Sequence, residues 1–179
     1  MSDLPHYPHG VLQTLRGLSS LQLYALLRLR VDVFVVEQAC VYAEVDALDA
    51  HPETLHLLHY AHPGAAASLL LADGMQDDVP VLAACARLLA PAQLSSKAEP
   101  APVLIGRVAT AENARRQGIA AGMLTFLVMV AERRWPGAPI ELSAQTQAKA
   151  LYDRLGFQSV SEEYLEDGIP HISMRYCAS

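Results

Sequence analysis

The chain has 179 residues, of which 52% are hydrophobic and 18% are charged, and its formal net charge at pH 7 is −6. This length and composition predict one folded domain, residues 1–179, and exclude a largely disordered chain. Because the net charge is acidic and no basic block stands out, direct binding to nucleic acid is not expected.

Targeting segments and metal sites are not expected either. Residues 1–10 hold no apolar run, and no uncharged stretch reaches the twenty or so residues of a membrane span. We therefore expect a cytoplasmic protein without membrane contact. The three cysteines are too scattered for a disulfide framework, and Cys85 reads as a small core residue. No metal-binding pattern accompanies the histidines at 56, 59 and 62.

The first third of the chain is predicted to hold a short strand and one long helix. The strand covers residues 11–16, and Ser19 or Ser20 offers an N-cap for a helix that ends near Gln38. Apolar residues recur at helical spacing, although residues 31–36 also have strand propensity. Residues 39–54 are predicted to form an irregular loop.

Strands and turns are predicted for the middle of the chain. A strand at 55–61 is expected to form a hairpin with 66–71, and a turn follows at 73–78. The next strand, 81–89, carries Arg87. Residues 91–102 contain three prolines and are predicted to be a connecting loop.

The last part alternates strands with helices. Strands are predicted at 103–110, 140–145, 157–164 and 171–176, and helices at 119–134 and 148–155. A turn at 166–168 joins the last two strands. Strands that alternate with helices and then end in an antiparallel pair indicate an α/β fold around one mixed sheet.

Residues 115–120, Arg-Arg-Gln-Gly-Ile-Ala, lie between a predicted strand and a predicted helix. The first backbone N–H groups of a helix have no intrahelical partner, so they form an anion site. Gly118 permits backbone conformations closed to other residues, and Arg115 and Arg116 add charged donors. On spacing alone, an exposed basic helical turn is the favoured alternative.

A second block, Ala-x-x-Leu-Tyr-x-x-Leu-Gly-Phe at 148–157, follows the strand at 140–145. Together the two blocks resemble the signature motifs of the GNAT superfamily of acyl-CoA-dependent N-acyltransferases. Four further segments, at 33–38, 44–46, 105–108 and 166–174, resemble the ElaA-like branch of that superfamily. The resemblance covers residues 20–176.

This resemblance implies a single α/β domain with a mixed, mostly antiparallel, twisted sheet of six to seven strands flanked by helices. It also implies acetyl-CoA as acyl donor, with the pantetheine arm near 108–110 and the pyrophosphate at 115–120. Arg116 departs from the glycine that the family often has. The cofactor-binding residues implied are Val108, Ala109, Thr110, Arg115, Arg116, Gln117, Gly118, Ile119, Ala120 and Gln145.

The roles of individual side chains are less specified. By resemblance, Tyr152 protonates the departing CoA thiolate, and the alternative is a packing tyrosine on an amphipathic helix. Gln145 either touches the pantetheine or caps the following helix. An ammonium acceptor must lose a proton before it attacks, and the candidate bases are Glu37, Glu44, Asp46 and His171. For Glu37 and His171, structural roles are the favoured alternatives.

The function expected from these motifs is transfer of an acetyl group to an amine of a small molecule, peptide or protein. A catalytically silent CoA-binding regulatory or interaction module is the alternative, because the cofactor motif is better marked than any acid–base pair. A structural domain that binds no CoA is a third reading. The sequence leaves the acceptor, the acyl length and a homodimer open.

Overall fold

Strands and helices form most of the part of the chain described by the computed structural model, residues 4–40, 43–61, 66–70, 76–91 and 100–177. The strands are β1 Gly10–Gln13, β2 Leu55–Tyr60, β3 Ala66–Leu70, β4 Gln76–Pro80, β5 Leu82–Leu89, β6 Val103–Thr110, β7 Ile140–Gln145, β8 Phe157–Ser159, β9 Tyr164–Glu166 and β10 Ile169–Tyr176. The α-helices are α1 Ser20–Arg30, α2 Ile119–Arg134 and α3 Lys149–Arg154.

The main sheet has the strand order β1-β2-β5-β6-β7-β10-β8, with β9 paired to the remaining length of the β10 edge. The β6–β7 pair is parallel and the other pairs are antiparallel. The prediction of an α/β fold around a mixed, mostly antiparallel sheet is confirmed. Among the described residues this sheet has eight strands, one more than the upper end of the predicted range.

Helices cover both faces of the sheet because successive strand residues point to opposite sides. In β2, Leu57 packs into a core with α2 and α3, whereas Leu58 packs into a core with α1. Cys85 of β5 belongs to the α1 core, as predicted, and burial raises the pKa of its thiol to about 12. The sheet is therefore the middle layer of three.

The first helix changes its hydrogen-bonding pattern partway along. The α-helix ends at Arg30 and continues as a π-helix over Val31–Glu37, where the amide of Gln38 donates to the carbonyl of Val33 at 3.1 Å. The predicted extent of the helix to about Gln38 is confirmed, but its π-helical end was not predicted. A π-helical segment of this kind often accompanies a functional site.

The N-terminus of α1 carries a capping box. The Ser19 hydroxyl accepts the amide of Gln22 at 3.2 Å, and the Gln22 side chain accepts the amide of Ser19 at 2.9 Å. We expect Ser19→Ala to lower the free energy of unfolding by about 1 kcal/mol, because the Gln22 amide loses its hydrogen-bond partner. Urea denaturation measures this change. Ser20→Ala, one residue inside the helix, is the matched control, and equal losses in both variants would contradict the assignment.

Two strand predictions are wrong, one in its pairing and one in its extent. Residues 66–70 pair with β4 in a separate two-stranded sheet and not with β2, because β1 and β5 already occupy both edges of β2. Part of the predicted 73–78 turn therefore lies within β4, and residues 71–75 lie outside the described part. The predicted strand at 157–164 is split into β8 and β9, which pair with different parts of β10.

Smaller boundary errors occur in the loops. The first strand ends at Gln13 and a 3₁₀ turn, Leu15–Gly17, follows it. The predicted loop at 39–54 contains the 3₁₀ helix Ala47–Ala50. Of the predicted loop at 91–102, residues 92–99 lie outside the described part.

Candidate active site

The sheet opens between its two parallel strands. β6 and β7 are paired only at Val103–Ile140 and Leu104–Glu141, and beyond these pairs each strand follows its antiparallel neighbour instead. A cavity of about 1110 Å³ fills the opening and is lined from both sides of the sheet. Backbone groups of β6 and β7 that would pair across a continuous sheet are thus available to a ligand.

A bulge in β6 lies at this opening. Cys85 is opposite Ala109 and Arg87 is opposite Gly106, so β6 holds one residue more than β5 over this interval. Arg107 takes the extra position with a left-handed φ of 50°. Such a bulge bends the strand locally. We attribute the divergence of β6 from β7 to this bend.

The segment 115–120 forms the turn into α2, as predicted. Gly118 has a φ of 77° and is the N-cap of the helix. No side chain at this cap position therefore bonds to the amides of the first turn. A Cβ atom placed on Gly118 would meet nothing within 4 Å. Gly118, Ile119 and Ala120 line the cavity. Free amides, a positive helix end and open space together fit a phosphate group.

Arg115 is bound to the end of the π-helix. Its guanidinium contacts both carboxylate oxygens of Glu37, at 2.8 and 2.5 Å, and its Nε donates to the Thr110 carbonyl at 3.1 Å. The hydrogen bond from Arg115 lowers the pKa of Glu37, which makes Glu37 a weaker base. The contact matches the structural alternative for this carboxylate.

The neighbouring side chains are exposed. Arg116 has a left-handed φ of 61°, a conformation that glycine adopts at lower cost. The side-chain amide of Gln117 donates to the Asn113 carbonyl at 3.0 Å, so it stabilises the turn.

Residues 108–110 lie along the opening with different orientations. Val108 and Thr110 line the cavity. The Ala109 side chain packs into the α1 core and is 1% exposed. The predicted role of this segment concerns its main chain, with which these orientations are compatible.

Gln145 is held between two other glutamines. Its amide nitrogen donates to Gln38 Oε1 at 2.9 Å, and its oxygen accepts from Gln147 at 2.8 Å. No side-chain capping bond to the following 3₁₀ turn is present. The predicted cap is therefore absent; Gln145 lines the cavity, and its contact with the pantetheine stays a prediction.

Tyr152 lies on α3 and lines the cavity from the α2 side of the sheet. Its ring packs edge to face against Phe157, with ring centroids 6.0 Å apart. Burial raises the pKa of its hydroxyl to about 12, so the phenol keeps its proton at neutral pH. Both predicted roles, packing and proton donation, are compatible with this position.

A polar wall, defined here as Ser143, Tyr164, Glu166 and His171, lies on the α1 side of the sheet, and all of its residues except Tyr164 line the same cavity. The Ser143 hydroxyl donates to Glu166 at 2.9 Å and bonds the Tyr164 hydroxyl at 2.6 Å. His171 stacks on Tyr164, with centroids 6.3 Å apart. Except for His171, sequence reasoning missed this wall. The signal was the alternation of polar residues along β7, which marks an open sheet face.

The other two candidate bases, Glu44 and Asp46, belong to a buried charge network with Asp49, Arg30, Arg87 and Arg107. Arg30 binds Glu44 through its Nε and Asp49 at 2.9 Å. Arg87 binds Asp46 at 2.7 Å and Asp49 at 2.8 Å, and Arg107 binds Asp46 at 3.2 Å. With three arginines and three carboxylates, the network balances its charge. Its carboxylates are thus engaged in structure, and Arg30 and Asp49 were not identified from sequence.

Within the described ranges, no group of three or more His, Cys, Asp or Glu residues is arranged to hold a metal ion. No helix in that part of the chain is both long and apolar enough to cross a membrane. The three cysteines form no disulfide.

Comparisons with known proteins agree with this geometry. Residues 83–177 match the acetyltransferase (GNAT) domain family. The protein ElaA of Escherichia coli is 37% identical over 157 residues, which cover 88% of each chain. An acyl-CoA N-acyltransferase from Pseudomonas aeruginosa is 40% identical, with a TM-score of 0.73 over 93% of this chain and 97% of the other. The crystal structure of E. coli ElaA aligns with a TM-score of 0.72 over 93% and 99%.

Proposed function

This chain belongs to the GNAT acetyltransferase family, and from that premise we propose that it transfers an acetyl group from acetyl-CoA to an amine. The acceptor would be a small molecule, a peptide or a protein. The observation that carries the proposal is the junction of two features: the opening between β6 and β7, and the uncapped N-terminus of α2, which line one cavity.

The donor would extend along this junction. Its pyrophosphate would bind the first amides of α2 around Gly118, where Arg116 adds positive charge. Its pantetheine amides would bind the main chain of 108–110, which does not pair with β7. The acyl group would then lie in the cavity between Tyr152 and the polar wall.

The reaction follows from these positions. The acceptor nitrogen attacks the thioester carbonyl carbon, a C–N bond forms, and the C–S bond breaks. A backbone N–H in the 108–110 segment would stabilise the charge that develops on the carbonyl oxygen. Tyr152 would give its proton to the departing thiolate, which its raised pKa permits because the phenol is protonated at neutral pH.

Binding at Gly118 is the first test. We expect acetyl-CoA at 100 times its dissociation constant to stabilise the wild-type protein by about 2.7 kcal/mol, read as a rise in melting temperature. In Gly118→Asp this rise should disappear, because a side chain and a negative charge enter the position proposed for phosphate. Gly137→Asp is the matched control. Gly137 also has a left-handed φ, of 82°, and open space at its Cβ position, but it lies beyond the other end of α2.

The outcomes separate the candidate functions. If CoA does not raise the melting temperature of the wild-type protein, the donor site is refuted. If CoA binds but no amine in a broad panel is acetylated, the protein is a catalytically silent CoA-binding module.

A further inference from the structure

The residues of the polar wall share one face of the sheet. In antiparallel pairs the residues opposite each other point to the same side. His171 is opposite both Gln145 of β7 and Tyr164 of β9, and Glu166 lies two residues from Tyr164 along β9. The intervening Ala144 and Met174 are buried in the core with α2 and α3. The wall thus faces the α1 side, opposite the side from which Tyr152 lines the cavity.

Charge is unevenly distributed along the cavity. Near the start of α2 it is lined by Arg116, and Arg154 at the end of α3 also lines it; neither makes an ion pair with the rest of the described chain. At the β9–β10 turn it is lined by Glu166 and Asp167, which are likewise not bound by any described cation. One end therefore suits the phosphates of the donor, and the acidic end suits a positively charged acceptor.

His171 is held in one tautomer by the backbone. Its Nδ1 lies 2.8 Å from the carbonyl oxygen of Ile169. A carbonyl oxygen only accepts hydrogen bonds, so Nδ1 carries the proton and donates it. In the neutral ring Nε2 then has the free lone pair. The half-buried imidazole is fixed further by stacking on Tyr164.

We propose that the polar wall is the acceptor site, in which Glu166 binds the ammonium group and His171 Nε2 takes its proton. This inference rests on the proposed function. The ammonium gives one proton to His171 and becomes a free amine, which then attacks the thioester carbon. The C–S bond breaks and the thiolate takes the proton of Tyr152, while the nitrogen passes its second proton to water, which reprotonates Tyr152. His171 releases its proton to solvent, so the site returns to its initial state.

The other candidate bases do not replace this pair. Glu37 is bound by Arg115 through both oxygens, and Glu44 and Asp46 are bound by arginines of the buried network. Glu166 is fixed through one oxygen by Ser143, and the other oxygen has no partner in the described part of the chain. Glu166 and His171 thus combine a fixed position with an open binding atom.

The test compares two acceptors in the full-length protein: benzylamine, a cation at pH 7, and aniline, which is neutral. With benzylamine, His171→Asn should lower kcat/KM by about 10²-fold, because no base removes the proton. The loss should be much smaller with aniline, and it should shrink with benzylamine as the pH rises past the amine's own pKa. Asn can still donate to the Ile169 carbonyl, and His6→Asn, at an exposed site, is the matched control.

Glu166→Gln keeps an acceptor for Ser143 but removes the charge. It should raise the KM for benzylamine about threefold, the usual strength of an exposed ion pair, and leave the KM for aniline unchanged. The melting-temperature rise with CoA should be the same in both variants as in wild type.

Three results would overturn the proposal. One is an equal loss with both amines in His171→Asn, which would mark a structural role. Another is an Nε2-protonated tautomer in long-range ¹H–¹⁵N spectra of the protein alone. The third is wild-type protein that binds CoA but acetylates neither these two amines nor any amine of the broad panel, which would refute the proposed function as well. The two failures can be distinguished. Failure of the proposed function appears as a lack of acetylation by the wild-type protein, whereas the acceptor-site proposal alone fails when the wild-type protein does acetylate these amines.

Discussion

Arg30→Met should lower the free energy of unfolding at pH 7 by about 3–5 kcal/mol, as expected when one partner of a buried ion pair is removed. Arg30 is 1% exposed and binds Glu44 and Asp49. Met keeps much of the side-chain volume but leaves the buried carboxylates of Glu44 and Asp49 with less compensation. Urea denaturation measures the loss.

Arg28→Met is the matched control, two residues earlier in the same helix. Arg28 pairs with Asp32 at 3.8 Å, and both side chains are more than half exposed. Because exposed pairs contribute little, we expect a change below about 0.5 kcal/mol. Similar losses in the two variants would show that the network does not contribute to stability as its burial suggests.

The difference in the free energy of unfolding between wild type and Arg30→Met should become smaller in acid. Burial tends to raise the pKa of Asp49, but hydrogen bonds and charge from Arg30 and then Arg87 outweigh it and lower the pKa to about 2. A carboxyl group with a lowered pKa stabilises the fold above its unfolded value near 4, and this contribution is lost as pH falls toward 2. The free energies of unfolding of the two proteins, measured by urea denaturation between pH 7 and pH 2.5, should therefore converge.

Tyr152→Phe should slow the chemical step by about 10²-fold or more and leave the affinity for acetyl-CoA nearly unchanged. The variant keeps the ring that packs on Phe157 but removes the proton proposed for the thiolate. Single-turnover kinetics measure the step directly, and the melting-temperature rise with CoA reports binding. Since burial raises the pKa of Tyr152 to about 12, its ionisation should not limit activity between pH 6 and 9.

Tyr176→Phe provides the matched control. Tyr176 also packs against Phe157, with ring centroids 5.5 Å apart, but it lies at the end of β10. Loss of its hydroxyl should not affect turnover. An unchanged chemical step in Tyr152→Phe would assign Tyr152 to packing, and protonation of the thiolate would then come from solvent or another group.

Elements with a strong local pattern were predictable from sequence. The strand at 103–110, the helix at 119–134 and the strand at 140–145 match β6, α2 and β7. The first two have long apolar patterns, the third alternates apolar with polar residues, and all three end at glycine, proline or polar residues. The pairing of residues 66–70 was wrong because it depends on which strand edges are already occupied, and this is a property of the whole sheet.

The candidate site likewise has one part that was predictable from sequence and another that was not. The turn around Gly118 is contiguous in sequence, so its spacing and flanking elements predicted an anion site. The polar wall combines Ser143 with Glu166 and His171, which are more than twenty residues away. The arginine–carboxylate network likewise joins α1, the 44–49 segment, β5 and β6. Local periodicity carries no information about such encounters, which the topology of the sheet creates.

Because a π-helix follows Arg30, the contacts of this segment depend more on its number of residues than on their identity. Its two C-terminal contacts, Glu37 with Arg115 and Gln38 with Gln145, depend on the wider turn that places Gln38 five residues after its carbonyl partner. A single-residue deletion would restore α-helical phase and rotate every later residue by about 100° around the axis. Both contacts would be lost together. A substitution within Val31–Glu37 changes one side chain, whereas an insertion or deletion rotates all later residues of the segment that line the cavity.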